Sequence, residues 1–505
     1  MVLQDYIDLA REGYKTFVLR TLGIAAVFLL ALQLRKALDT KAKLKYIPTV
    51  GSSGIITSWI DAFKFVFYAK EIIQEGYVKH YGSTFRVPLI DKWIIVVSGA
   101  EKIEDIRKSS REQLSVMDAV NDLLQMDHTM GRCIAADPYH IDVIRGVLTR
   151  NIVTYFADVH DEIKAAFREN IPMFEEWTSV PLFETIPQIV CRASNRMFVG
   201  LPVCRDRDYI RLNIDFTQSV FLCACLINHV PALLKSILGT IFSPRNGALA
   251  KTKKFLGSMI RERLQQESVH GKYWPDKPSD FLSWCLDACN ENETRRTIPD
   301  LSTRLLAVNM AAIHTVSKAF TTALYALAAH PEYVQTLRSE VESIIEEEGC
   351  TKVAMGKMTR LDSFMMEAQR VYGSNGLRCA VSLGRTIFSD GTVVPAGSYI
   401  VVPAFSTNMD EMVSPGVDFM FFGYGRHQWH VQRQIYLCTF KEGSLESHSP
   451  GRFLAVIELK IMLSHVLLNF DVKMDKVPPP ICISQFSFIG KGKVLFRKRV
   501  RTPQR

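Results

Sequence analysis

Several things are missing from this 505-residue chain, and each absence excludes a class of protein. Its eleven cysteines are scattered, and the nearest pairs, Cys223 with Cys225 and Cys285 with Cys289, have no second Cys/His pair at zinc-ligand spacing. That excludes a zinc module and leaves reduced core thiols of a cytosolic compartment. No aromatic-interleaved basic cluster or nucleic-acid motif appears. The net charge of +9 therefore argues for an anionic membrane surface or an acidic partner and against nucleic acid. With 48% hydrophobic and 22% charged residues the composition is globular, and the length suits one large domain or two or three ordinary ones.

Uncharged apolar runs are few. Thr21 to Leu34 is one, extended leftward by Phe17-Val18-Leu19 across Arg20 to the roughly 20 residues a spanning helix needs. Arg35, Lys36, Lys41, Lys43 and Lys45 follow it, and no small-residue cleavage site is evident. Residues 14–34 thus read as a single-pass signal anchor behind a short segment, 1–13, with the body on the cytosolic side. An amphipathic helix lying on the membrane surface is the alternative, because Arg20 interrupts the run. Residues 35–51, ending Ile47-Pro48-Thr49-Val50-Gly51, read as a basic, stiff hinge, and 52–505 as the main domain. Leu305 to Leu327, with Lys318 as its one formal charge, reads as a buried core helix; a charged helix from about Pro331 to Glu348 follows. Strands are expected at Thr84–Pro88, Trp93–Val97 and between Val381 and Val402, turning at Asp390-Gly391 and Pro395–Gly397. Residues 60–80 and 200–290 look helical, the latter broken at Pro231, Pro244 and Pro275. The expected class is mainly α with a small β lobe.

The stretch from Phe421 to Lys460 carries the chemistry. Its left half holds Phe422, Gly425, Arg426 and His427; its right half holds Pro450-Gly451-Arg452-Phe453-Leu454-Ala455 and Glu458-Leu459-Lys460. The halves resemble the haem-binding signature of the cytochrome P450 family, where they abut on one cysteine. A thiolate ligating haem iron needs a glycine-bearing loop whose N–H groups face the sulfur, and a helix N-terminus to steady its charge. Counting from Phe422 places that residue at Trp429, and counting back from Pro450 places it at Ser449. Neither side chain replaces a thiolate. A Trp codon joined to a serine codon of the AG-pyrimidine kind spells cysteine, so 430–448 reads as a non-native insertion left by an unspliced intron. Cys438, the one cysteine between Cys379 and Cys482, is the alternative metal ligand, although no glycine or proline shapes its surroundings.

Other motifs extend the resemblance along the chain. Ala311-Ala312-Ile313-His314-Thr315 is similar to the family's oxygen-activation motif, with His314 where an acid is usual, as in the fungal ent-kaurene-oxidase-like branch. Small residues leave room beside a haem, and the Thr315 hydroxyl can organise water for proton delivery. A hydrogen-bonded core residue is the plainer reading of His314. Glu367 and Arg370 match the family's Glu-x-x-Arg, whose spacing puts both on one helix face. The arginine that completes their buried triad is absent, since none lies between Arg385 and Arg426; an unpartnered buried charge costs about 3–5 kcal/mol unless water reaches it. His140 and Arg145 stand on a segment that resembles the helix contacting the haem propionates, where a basic residue makes a charge-assisted hydrogen bond; a solvated helix face explains them equally. Phe422, Gly425, His427, Ser449 and Gly451 fall in the cofactor loop.

The resemblance implies the cytochrome P450 fold behind a transmembrane helix, and haem b as cofactor. It further implies electrons from NADPH through NADPH–cytochrome P450 reductase, with cytochrome b5 as an optional second donor. The implied reaction is hydroxylation of a hydrophobic small molecule, a terpenoid or other secondary metabolite, at the cytosolic face of the endoplasmic reticulum membrane. The rival is a catalytically impaired membrane protein of the same fold that lacks the thiolate.

Overall fold

The structure is a computed structural model describing Arg20, Thr21, Ile24, Ala31, Arg35, residues 38–409 except 53, 111, 290–291 and 374–376, and residues 451–500. Most of the expected anchor lies outside the described residues. So do Phe422, Gly425, His427, Trp429, Cys438, Ser449 and the expected insertion.

The principal helices are α1 (Ile55–Lys79), α2 (Tyr139–Val143), α3 (Thr149–Asn170), α4 (Leu182–Phe198), α5 (Arg207–Asn228), α6 (Ala232–Phe242), α7 (Arg245–His270), α8 (Ile298–Ala329), α9 (Val334–Glu348), α10 (Thr359–Tyr372) and α11 (Arg452–Asn469). A π-helical stretch, Ile144–Leu148, joins α2 to α3. The strands are β1 (Thr84–Pro88), β2 (Trp93–Val97), β3 (Leu114–Ser115), β4 (Thr178–Val180), β5 (Leu377–Ser382), β6 (Thr386–Ile387), β7 (Val393–Val394), β8 (Tyr399–Pro403), β9 (Phe470–Lys473), β10 (Ile481–Ile483), β11 (Phe486–Phe488) and β12 (Val494–Lys498).

The β lobe is a five-stranded sheet ordered β1-β2-β8-β5-β3, in which β2 and β8 run parallel. Strand alternation explains its two covered faces. Ile94 and Val96 of β2 pack with Phe65, Ala69 and Ile73 of α1, while Ile95 and Val97 join Ile103 and Ile106 on the opposite side. The turn expected at Asp390-Gly391 joins β6 to β7, and Gly391 adopts φ +81°. Prolines break the helices as expected: Pro231 precedes α6 and Pro244 precedes α7.

Through the helical part runs α8, about 48 Å long at 1.5 Å per residue over its 32 residues. Its start follows from sequence: Thr297 accepts from the Asp300 N–H, Pro299 suits the first turn, and Asp300 complements the dipole. It ends at His330, before Pro331. Apolar side chains surround it on nearly all sides, as the run from Leu305 to Leu327 predicts. Each fully buried Leu, Ile or Phe contributes about 1.5–3 kcal/mol. Among the described residues one helix, α5, is long and apolar enough to cross a membrane, but half of its apolar window is buried inside the protein.

Helices α10 and α11 are joined by an enclosed ion pair. Lys460 Nζ lies 2.7 Å from Asp362 Oδ2, with both side chains almost fully buried, and also donates to the Met355 carbonyl. Removing one partner strands the other in a low-dielectric interior, whereas replacing both with apolar residues need not cost stability. Asp362→Asn and Lys460→Met should each lower unfolding stability in urea titration by about 3–5 kcal/mol, and Asp362→Leu combined with Lys460→Met should recover most of that loss.

Candidate functional site

From Leu301 to Ala328, helix α8 is buried except at one stripe. Ala311 and Thr315 are exposed, and Ala312, His314 and Lys318 are half-buried, while Ile313, Val316 and Ser317 between them are buried. Ala311 and Thr315 are one turn apart and share a face. The Thr315 hydroxyl donates to the Ala311 carbonyl at 2.8 Å, so the polar group at this opening is held against the helix backbone.

His314 faces elsewhere. Its ring lies 4.2 Å from the ring of Phe221 on α5, and Phe221 makes edge contacts with Phe486 and Phe488 of β11. Burial, reinforced by the Lys318 charge, lowers the imidazole to about 3, so His314 is neutral at physiological pH. His314 is therefore a neutral member of an aromatic wall, adjacent in sequence to Thr315 but on a different side of the helix.

Glu367 and Arg370 do meet, through bonds of 2.6 and 2.8 Å. Helix α10 is placed by three contacts: Glu340 of α9 accepts the Arg360 and Leu361 N–H groups, Gln369 donates to the Ala319 carbonyl of α8, and Asp362 holds Lys460. Arg370 also donates to the Asn408 carbonyl at 2.9 Å. The Glu367 side chain is 59% exposed. Water therefore reaches it, and the cost expected for a buried carboxylate lacking its third partner does not arise here.

Toward the start of α8 lies His140. It is buried, and its Nδ1 lies 3.2 Å from Arg304, whose guanidinium also bonds Asp300 and the carbonyls of Cys133 and Asp137. Burial and the Arg304 charge lower His140 to about 3, so it is neutral. A guanidinium has no acceptor, so Nδ1 must accept and Nε2 carries the proton. The charge here is Arg304's, and sequence reading missed it because the apolar run was started one residue later. The Asp300–Arg304 spacing of four was the available signal. The guanidinium groups of Arg295 and Arg304 lie 4.9 and 4.5 Å from the centre of the Tyr139 ring. Arg145 lies 3.9 Å from Asp142 with its side chain 37% exposed. Arg304 is eleven residues before Thr315, about 16 Å along the axis, so His140 and Thr315 are not brought together.

Gly451 precedes α11 with φ +83°, a left-handed conformation that favours glycine. A Cβ there would lie 3.6 Å from Ile144, so the cofactor loop's last residue sits beside the segment carrying His140 and Arg145. Two turns into α11, the buried Glu458 accepts from the Ser194 hydroxyl of α4 at 3.0 Å, and its Oε2 has no partner among the described residues. Burial pushes this carboxyl up to about 8, with the Ser194 bond opposing.

These features fit a haem. One wall is a helix face of small side chains opened at a single stripe, and near the loop end stand His140 and Arg145, able to meet carboxylates. The axial-ligand positions lie outside the described residues.

Comparison with known proteins agrees. The family model for Cytochrome P450 matches residues 66–495. The chain is 38% identical to cytochrome P450 monooxygenase 151 of Postia placenta, covering 90% of this chain and 94% of that one. It is 29% identical to cytochrome P450 monooxygenase CYP512U6 of Ganoderma lucidum (86% and 88% covered), and 28% to cytochrome P450 monooxygenase paxQ of Penicillium paxilli (89% and 90%). The chain belongs to the cytochrome P450 family. It is an enzyme of the monooxygenase class, and the family implies a haem cofactor, a redox partner and a hydrophobic substrate.

Glu458 makes a pH prediction. Its folded-state value lies above the ordinary 4.5, so between about pH 4.5 and 8 the native chain holds more protons than the unfolded one. Stability should fall as pH rises through that window, with a limiting slope of about 1.4 kcal/mol per pH unit. Glu458→Gln, which keeps an acceptor for Ser194, should flatten the profile in denaturant titrations across that range.

Proposed function

We propose that the protein is a membrane-anchored haem-thiolate monooxygenase hydroxylating a terpenoid or other hydrophobic secondary metabolite, with electrons passed from NADPH by NADPH–cytochrome P450 reductase. The observation that carries this reading is the Ala311–Thr315 opening in an otherwise buried α8. Haem b, when bound through a cysteine thiolate, supplies dioxygen activation and transfer of one oxygen atom to a C–H bond. Ala311 and Ala312 leave space at that face. The Thr315 hydroxyl, now donating to the Ala311 carbonyl, can turn toward a water in the opening, passing one proton on as it accepts another, so that it ends unchanged. His140 offers a neutral Nε2–H, and Arg145 a charge, to the cofactor carboxylates. Glu367 and Arg370 keep α10 against the segment entering the cofactor loop.

The ent-kaurene-oxidase-like branch supports a terpenoid substrate, on Ala-x-His-Thr around His314. The basic residues after the apolar N-terminal run support a single-pass anchor in the endoplasmic reticulum membrane, with the domain from residue 52 facing the cytosol and cytochrome b5 as an optional donor. In this reading Trp429 and Ser449 are the two halves of one cysteine codon separated by an unspliced intron, and the segment between Asp410 and Phe421 is shortened by the same faulty gene model. The absence of a thiolate at either position favours a second reading, a protein of this fold that binds an apolar ligand without catalysis.

A reduced carbon monoxide difference spectrum separates the two. A variant with residues 430–449 deleted and Trp429→Cys should give the thiolate-type band, and the unaltered chain should not. A thiolate band from the unaltered chain would move the ligand to Cys438, and its loss in Cys438→Ala would establish that. In the repaired variant, Thr315→Ala should lower product formation about 100-fold while reductant is still consumed and peroxide released, and Thr315→Ser should restore coupling.

A further inference from the structure

We infer that Lys318 is a specificity-determining positioning residue, a strap that holds the β10–β11 hairpin closed over the aromatic wall beside the α8 opening. The inference rests on the reading of that opening as the reaction site.

The hairpin has three residues in each strand and pairs with no other strand among the described residues. Isolated two-stranded hairpins are marginal in water, so its position must come from tertiary contacts. Phe486 is buried with Phe216, Val220 and Met310, and two hydrogen bonds to main-chain carbonyls fix the hairpin on either side. Ser484, at the turn with φ +53°, donates its N–H to the Val66 carbonyl of α1 at 2.9 Å. On the other side, Lys318 Nζ donates to the Ser487 carbonyl at 3.0 Å. Ser487 lies between Phe486 and Phe488, so the bond is made where the two rings leave the strand. Those rings stack on each other at 6.3 Å, and both make edge contacts with Phe221, which covers His314 one turn before Lys318.

The charge balance points the same way. Lys318 is the one formal charge between Leu305 and Leu327, half-buried on the open stripe with Ala311 and Thr315. An apolar residue there would continue the helix at less desolvation cost. A lysine is favoured where its ammonium meets a carbonyl that the hairpin cannot satisfy within its own ladder. By fixing the Ser487 backbone, Lys318 sets how far Phe486 and Phe488 stand from Phe221 and His314, and hence the width left for a substrate.

The test uses the full chain and does not require haem. Lys318→Met should raise amide hydrogen exchange in residues 481–488 several-fold and leave α8 unchanged. It should also weaken binding of Nile red, an uncharged polycyclic probe, measured by fluorescence, and Lys318→Arg should restore both. Phe488→Ala should weaken the probe too, and its effect should not add to that of Lys318→Met if the lysine acts through the rings. Unchanged hairpin exchange in Lys318→Met overturns the strap. Faster exchange with unaltered probe binding overturns the specificity role. Additive effects of the two substitutions overturn action through the rings. If Lys318→Met does not fold, Lys318→Gln is read in its place. Failure of the site reading itself would show separately, as full coupling in the repaired Thr315→Ala enzyme.

Discussion

The burial of α8 is the constraint on which the rest depends. A helix of this length, walled by apolar side chains on nearly every side, cannot shift without opening the main core, so every group attached to it inherits its position. Arg304 near its start anchors the segment carrying His140, Ala319 receives Gln369 from the helix of Glu367 and Arg370, and Lys318 reaches the hairpin. The one interruption in its packing, at Ala311 and Thr315, is therefore a fixed opening. Such an opening leaves apolar surface uncovered unless something of matching size lies against it.

Much of this was legible in the sequence because the signals were periodic or local. The apolar run with one lysine specified a core helix, alternating β-branched residues specified β1 and β2, and the spacing of Glu367 and Arg370 specified a helical pair. What escaped was tertiary. Nothing local to His140 says that its Nδ1 accepts from a guanidinium 164 positions away. Nothing near Lys318 says that its partner is a carbonyl 169 positions on. Glu458 was visible as part of a motif, but its raised pKa follows from burial beneath α4, and burial on all sides is a property of the fold.

The electrostatics around the site follow one pattern. Its histidines, His140 and His314, are kept neutral by burial beside a cation, Arg304 in one case and Lys318 in the other. The formal charges are assigned to residues that do not titrate near neutral pH: the arginines, and a carboxylate, Glu367, held low by Arg370. The buried Glu458 is the exception, its carboxyl pushed up to about 8. On the proposed mechanism, proton movement at α8 is left to the Thr315 hydroxyl, since burial keeps the neighbouring imidazole neutral.

Apart from His314, the departures from the family's pattern fall in residues 411–449, and the described parts on either side of them are well packed. Gly451 takes a left-handed backbone that makes sense as the exit from a tight loop, and α11 beyond it is tied to α10 by an enclosed ion pair. On the near side, Arg370 grips the Asn408 carbonyl immediately before the altered segment. A domain that had drifted away from binding a cofactor would be expected to refill the α8 opening first, because replacing Ala311 or Thr315 with a larger apolar residue gains buried area at no cost to the rest of the core. The small residues are still there. On the proposed reading, in which Trp429 and Ser449 are halves of one cysteine codon, these retained walls are what a local fault in the encoded segment would leave behind.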